Sequence, residues 1–256
     1  MTDRPTQVLV VGATGGIGRR VVAAARQHDL RVRALVRDLD RAERVLPGVE
    51  LVRGDLERPA TLAEAVLGVD AVVFTHGGNG SPDAARRIDY GGAVSVLRAL
   101  DGRQPRIALM TSIGVSRCGN PRSSVGQLLD WKRRSERFVR ATGAPYTIVR
   151  PGWFDAVGGS DQRLVLAQGD AGNGGIGRDQ VAEVVVRSLL TDAALGRTFE
   201  LFAEAGAAPT DWDALFCAVR PDEAGALDGA ADPRTPPLLH QEPAPVPTDV
   251  ADLTAR

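Results

Sequence analysis

The tightest constraint on this chain is a run near its start, Val8-Leu-Val-Val-Gly12-Ala-Thr-Gly15-Gly-Ile-Gly18-Arg19. An apolar stretch runs into spaced glycines, and a helical pattern follows at Ile17–His28. Gly12 permits the sharp turn that ends a strand. Gly15 leaves room for a diphosphate to approach the backbone, and Gly18 lets the helix lie close on the strand. The start of the helix then offers unpaired N–H groups and a partial positive charge to an anion. A glycine triplet alone is a weak signal. With a strand before it and βα units after it, the run reads as a dinucleotide-binding turn, with Thr14, Gly16 and Ile17 as further cofactor contacts.

The rest of the chain has the rhythm such a turn needs. Short apolar runs at Val8–Val11, Val32–Val36, Val49–Val52, Ala71–Thr75, Arg106–Met110 and Tyr146–Val149 read as strands covered on both faces. Between them lie helical stretches at Ile17–His28, Pro59–Leu67, Pro82–Leu100 and Ser124–Thr142. Regular alternation of strand and helix predicts an α/β fold, a doubly wound Rossmann-type parallel sheet. Beyond Arg150 the rhythm loosens, with a short strand at Arg163–Ala167, a helix at Arg178–Leu190 and a strand at Thr198–Phe202. Residues 1–205 are read as the nucleotide-binding domain with its substrate side. Residues 206–256 form a small C-terminal extension, with one amphipathic stretch at Trp212–Val219 and a Pro-rich tail. That tail is either loosely ordered or wrapped along the domain.

The end of the second strand bears on the choice of cofactor. An acidic residue there holds the ribose 2′-hydroxyl of NAD. Here Ala34-Leu-Val-Arg37-Asp38 places an arginine at that point, which suits a 2′-phosphate through paired, charge-assisted hydrogen bonds. Arg19 and Arg41 are nearby cations. NADP(H) is therefore favoured, and NAD(H) stays open because Asp38 is only one position late. After the third strand, Asp55 is placed to accept from the adenine amino group or to cap the next helix, with Leu56 beside it. Thr75, His76 and Gly77 end the fourth strand where the chain passes close to a cofactor ribose; His76 either points into the site or is a loop histidine without a task.

Other classes are disfavoured. The formal net charge is −1, so no bulk attraction favours nucleic acid or an anionic membrane. No apolar run approaches the length that spans a bilayer. The start of the chain passes straight into a strand-like segment, without a signal-peptide layout. Cys118 and Cys217 lack metal or redox spacing, and His28, His76 and His240 are scattered, so no metal site is expected. The expected setting is the reducing cytoplasm, as a monomer or homodimer acting on a small-molecule substrate.

Together, Gly12-Ala-Thr-Gly-Gly-Ile-Gly18, Ala34-Leu-Val-Arg37-Asp38, Gly54-Asp55-Leu56, Thr111-Ser112-Ile-Gly114, Tyr146-Thr-Ile-Val-Arg150-Pro151-Gly152 and Gly175-Ile-Gly-Arg178-Asp179-Gln-Val-Ala182 carry a family likeness. Over residues 7 to 203 the chain resembles the atypical short-chain dehydrogenase/reductase superfamily. The likeness is to its compact NAD(P)H-binding branch of NmrA-like and flavin/biliverdin reductase-like proteins. The resemblance implies that Ser112 hydrogen-bonds the reacting oxygen of a substrate and that Lys132 binds the nicotinamide ribose. It sets Pro151, Gly152 and Trp153 beside the carboxamide, and has Arg178 and Asp179 open a helix bordering the substrate region. Read from the residues alone, Ser112 also fits a backbone-bonded strand end, and Lys132 a solvated charge in a basic helical stretch.

One departure limits the chemistry. Typical members carry a tyrosine four residues before the lysine as general acid, and here that position is Leu128. The two tyrosines, Tyr90 and Tyr146, fall mid-helix and on a core strand, where packing is the expected role. The resemblance thus implies an NADP(H)-dependent oxidoreductase that works without that tyrosine. The alternatives are an NADP(H)-binding sensor or scaffold without turnover, and an epimerase or isomerase.

Overall fold

The computed structural model describes residues 4–78, 80–117, 123–154, 162–233 and 237–254. The apolar runs form strands β1 (Gln7–Val11), β2 (Arg31–Val36), β3 (Glu50–Arg53), β4 (Ala71–Phe74), β5 (Arg106–Met110), β6 (Tyr146–Pro151), β7 (Trp153–Phe154), β8 (Gln162–Ala167), β9 (Gly175–Ile176) and β10 (Arg197–Ala205). Eight of them make one sheet in the order β3-β2-β1-β4-β5-β6-β10-β8, parallel throughout except for β8, which runs antiparallel to β10. β7 and β9 pair separately as a short parallel ribbon. The order reverses between β1 and β4: the chain steps outward from β1 through β2 to β3 and then returns to the other side of β1 as β4, and ligands of such sheets sit at that switch point.

The helices are α1 (Gly16–Gln27), α2 (Leu39–Val45), α3 (Ala63–Val66), α4 (Pro82–Ala84), α5 (Gly91–Ala99), α6 (Ser124–Ala141), α7 (Arg178–Leu190), α8 (Trp212–Cys217) and α9 (Val246–Thr254). Because side chains alternate along a strand, Val8 and Val10 of β1 join the core under α1 and α7, while Leu9 and Val11 join the core under α3, α5 and α6. Both faces of the sheet are thus covered, which is why the strands read as continuous apolar runs rather than alternating ones.

Three local expectations are revised. The segment after Arg37, given no helix in the sequence reading, forms α2, capped by the Asp38 carboxylate accepting from the Arg41 N–H at 3.0 Å. The long helix expected at Pro82–Leu100 is interrupted at Ala85–Tyr90 by a wider π-type turn. The stretch Pro59–Leu67 is a 3₁₀ turn followed by α3.

The C-terminal tail wraps along the domain. Val246 and Val250 of α9 enter the core beside α5 and α6, and acidic residues of the tail meet arginines of the domain. Glu242 pairs with Arg133, Arg134 and Arg137, Asp228 with Arg137, Asp222 with Arg140 and Asp232 with Arg150, all at 2.6–3.3 Å. The basic stretch of α6 is therefore largely a buried ion-pair face rather than a solvated one. Burial opposes the charge on Glu242, and Arg134 and Arg133 overcome that and hold its carboxyl below the usual carboxylate range. Cys118 lies outside the described residues, Cys217 is exposed, and no cluster of metal ligands occurs among the described residues. No helix among them is long and apolar enough to cross a membrane.

Candidate cofactor site

At the switch point the ends of β1, β2, β3 and β4 enclose a cavity of about 480 Å³, within the ordinary range for ligand sites. Gly12, Thr14 and Gly15 form one wall, Arg37 closes the end of β2, and Asp55 and Leu56 follow β3. Thr75, His76 and Gly77 line the β4 side. Glycine is required at two places in this turn. Gly12 has φ +87°, and a methyl group on it would lie 2.7 Å from the His76 backbone nitrogen. A methyl on Gly18 would lie 2.1 Å from the Gly12 carbonyl oxygen, so only hydrogen lets α1 leave the turn at this angle. Ile17 and Gly18 are buried behind the turn, and neither they nor Gly16 line the cavity.

The residues fit a dinucleotide on physical grounds. The Gly15 cap makes no side-chain hydrogen bond, and the first turn of α1 carries no acidic residue, so its polarised N–H groups await an anion. Arg37 is exposed, and no other described residue pairs with its guanidinium by hydrogen bond or ion pair. Asp38, the competing acid, is engaged as the α2 cap. Asp55 accepts from the Glu57 N–H at 3.0 Å, the turn-capping job, while its side chain still borders the cavity.

Beyond Gly77 the site continues toward Lys132. A methyl on Gly77 would lie 3.6 Å from Asp89 Oδ1 and 3.9 Å from Lys132 Nζ. Lys132 donates to Asp89, which also accepts from the Gly78 N–H at 2.7 Å. Asp89 is buried and is delivered by the π-type turn at Ala85–Tyr90, a feature frequent at functional sites. Nothing in the sequence marked Asp89, since its partners are 11 and 43 residues away. Close by, both ring nitrogens of His76 are buried outside hydrogen-bond geometry. Burial, only partly offset by the Asp89 charge, lowers the His76 pKa to about 4, so the ring is neutral. His76 serves as a neutral wall that tilts against Phe74, with ring centroids 5.5 Å apart.

Ser112 follows β5 and donates to the Ile113 carbonyl at 3.1 Å. Its loop is tied from below, because Asp170 accepts from the Gly114 and Ser116 N–H groups at 2.6 and 2.9 Å. Pro151 is buried at the end of β6. Gly152 is a packing requirement, since a methyl there would lie 2.3 Å from the Gly174 carbonyl oxygen. Trp153 is 64% exposed and donates from its indole to Asn173 at 2.8 Å. Neither tyrosine is at the site. Tyr90 donates to Asp249 at 2.8 Å and Tyr146 to Asp222 at 2.9 Å; burial, then those carboxylates, push both phenols well up. The Leu128 position has no phenolic substitute among the described residues.

A strand, a glycine turn and an uncapped helix at the switch point of a parallel sheet agree with the match of residues 12–192 to the family model described as NAD(P)H-binding. The chain belongs to that NAD(P)H-binding family. Its structural neighbours, at 17–24% identity, share the Rossmann-type fold. A putative NAD-dependent epimerase/dehydratase from Bacillus halodurans superposes with a TM-score of 0.71 at 24% identity, over 79% of this chain and 96% of that one. An uncharacterized chloroplastic protein of Arabidopsis thaliana is 30% identical over 85% of this chain and 77% of its own. Sanguinarine reductase of Eschscholzia californica is 26% identical over 85% of this chain and 97% of its own. The family is of the oxidoreductase type and its cofactor is a nicotinamide dinucleotide.

Proposed function

We propose that this protein is an NADP(H)-dependent oxidoreductase that reduces a small organic acceptor without a tyrosine general acid. The observation that carries the cofactor choice is the end of β2. Arg37 borders the cavity with its guanidinium unengaged by any described residue, while Asp38 is committed to α2. A guanidinium there pairs with a 2′-phosphate through charge-assisted bonds, while one oxygen of Asp38 is taken by the Arg41 N–H.

The bound cofactor supplies a hydride from its nicotinamide. The protein's own contribution is mainly positional. The glycine turn and the start of α1 hold the diphosphate, and Asp55 and Leu56 border the adenine. Thr75, His76 and Gly77 leave room for the riboses. Lys132, steadied by Asp89, presents its ammonium to the nicotinamide ribose, and Pro151, Gly152 and Trp153 bound the carboxamide. The Ser112 hydroxyl turns from the Ile113 carbonyl to polarise the acceptor. Trp153 and Phe154 supply an apolar wall, and the proton that completes the reduction comes from solvent or from the acceptor. This reading keeps the protein in the cytoplasm.

Steady-state NADPH oxidation with a panel of quinones, flavins, enones and aldehydes tests the reading. Turnover of at least one class is expected, with NADPH preferred to NADH. Tight NADPH binding with no turnover on any of them would replace it with a cofactor-sensing role.

A further inference from the structure

Beside the cofactor cavity, at the tips of β2 and β3, lies a smaller one of about 290 Å³ lined by Arg37, Arg53, Gly54, Asp55, Arg58 and Thr61. Arg37, Gly54 and Asp55 line the cofactor cavity as well, so the two adjoin. The sheet register builds this second opening. Arg53 is the last residue of β3 and pairs with Val36, the last of β2, and the Gly54 N–H donates to the Val36 carbonyl at 2.9 Å. Arg37 follows Val36 directly, so the two arginines stand on neighbouring strand ends, with the strands about 5 Å apart. Gly54 admits no side chain between them, since a methyl there would lie 2.7 Å from Leu35 Cδ1 and 3.0 Å from the Thr61 carbonyl oxygen.

The ionisable lining of this opening is three arginines and one carboxylate. Asp55 is already shared: one oxygen accepts from the Glu57 N–H at 3.0 Å, and the other lies 3.9 Å from Arg58 Nε. Arg37 and Arg53 are both exposed, and neither makes a hydrogen bond or ion pair with any described residue. Three neighbouring acids are occupied elsewhere, Asp38 by the α2 cap, Glu50 by Arg33 at 2.6 Å and Glu57 by Arg87 at 2.8 Å. Arg19 and Arg41, the nearby cations of the sequence, line neither cavity. Two guanidiniums flanking one small opening suit an anion with oxygens for both, and a phosphate monoester offers three.

We infer that Arg53 is a second specificity-determining arginine of the cofactor site, gripping with Arg37 the 2′-phosphate that distinguishes NADPH from NADH. This role rests on the NADP(H) reading above and adds to it a residue from a different strand. The larger cavity takes the adenosine, and the smaller one takes the phosphate on its ribose.

The test compares NADPH, NADH and adenosine 2′-monophosphate on the full chain. Arg53→Gln is expected to weaken NADPH and adenosine 2′-monophosphate at least fivefold and NADH less than twofold. Arg53→Lys is expected to regain part of the loss, and Arg37→Gln combined with Arg53→Gln to leave NADPH bound no more tightly than NADH. Arg44→Gln removes the same charge from α2, outside both cavities, and should change NADPH affinity less than twofold. NADPH affinity within twofold of wild type in Arg53→Gln, an equal loss for NADH, or an equal NADPH loss in Arg44→Gln overturns the assignment. A wild-type protein that binds NADH as tightly as NADPH would instead remove the 2′-phosphate reading itself.

Discussion

Replacing Gly18 by alanine separates two explanations of the glycine turn, because it adds one methyl group and no charge. That methyl would lie 2.1 Å from the Gly12 carbonyl oxygen and 2.8 Å from both Gly12 C and Ala13 Cα. All three are backbone atoms, so no rotamer change relieves the overlap, and α1 must back away from the turn by roughly 1 Å. The helix cannot do so freely, since Val21, Val22 and Ala25 on its inner face are buried against the sheet and α7. Alanine gains up to about 1 kcal/mol over glycine in helix propensity, while forced overpacking costs about 1–3 kcal/mol and more when only backbone can yield. The expected net loss is about 2 kcal/mol. Gly16→Ala is the internal control: its methyl meets only Arg178 Nη1, at an ordinary 3.5 Å, and its stability should stay within about 0.5 kcal/mol of wild type. Urea denaturation of the three proteins, with m-values compared, measures both. A Gly18→Ala midpoint equal to wild type, or a Gly16→Ala loss as large as that of Gly18→Ala, would refute the claim that close helix–strand approach fixes this position.

Further outcomes follow from the same geometry. Arg37→Asp should weaken NADPH by tenfold or more and NADH by much less, read by fluorescence titration; equal losses would sink the 2′-phosphate assignment. Lys132→Ala leaves the buried Asp89 without its counter-charge and should cost on the order of 3 kcal/mol, part of which Asp89→Asn in the same chain should return. Nucleotide affinity unchanged in the folded Lys132→Ala protein would remove the ribose role. Burial, set against Arg150 and reinforced by Asp170, raises the Glu200 pKa to about 7. A raised folded-state value gives stability that is present at low pH and lost as pH rises through about 7. Glu200→Gln should therefore exceed wild type by on the order of 2 kcal/mol at pH 8, and the gap should shrink as pH falls toward 5. A gap independent of pH contradicts the titration.

Local backbone grammar was readable directly. The Val8–Val11 run, the Gly12–Gly18 turn and the alternation of strands and helices depend on neighbours in the chain, so their spacing announces the sheet and its switch point. Arg37 at the end of β2 and Leu128 in place of a tyrosine were legible for the same reason, since each is defined by its offset from a motif. The π-type turn at Ala85–Tyr90 was not, because a wider helical turn leaves the apolar pattern nearly unchanged.

What only the tertiary structure decided are the partnerships of charges. Lys132 meets Asp89, and the arginines of α6 are neutralised by Asp222, Asp228 and Glu242 from the tail. A charge in sequence has no visible partner when the partner lies tens of residues away, and a basic stretch then reads as solvated. Burial makes such charges costly unless paired, so folding must bring the opposite charges to them. The sequence alone determined that a dinucleotide turn opens a parallel sheet. The folded chain decided which cations are held by protein carboxylates and that Arg37 borders the cavity without one.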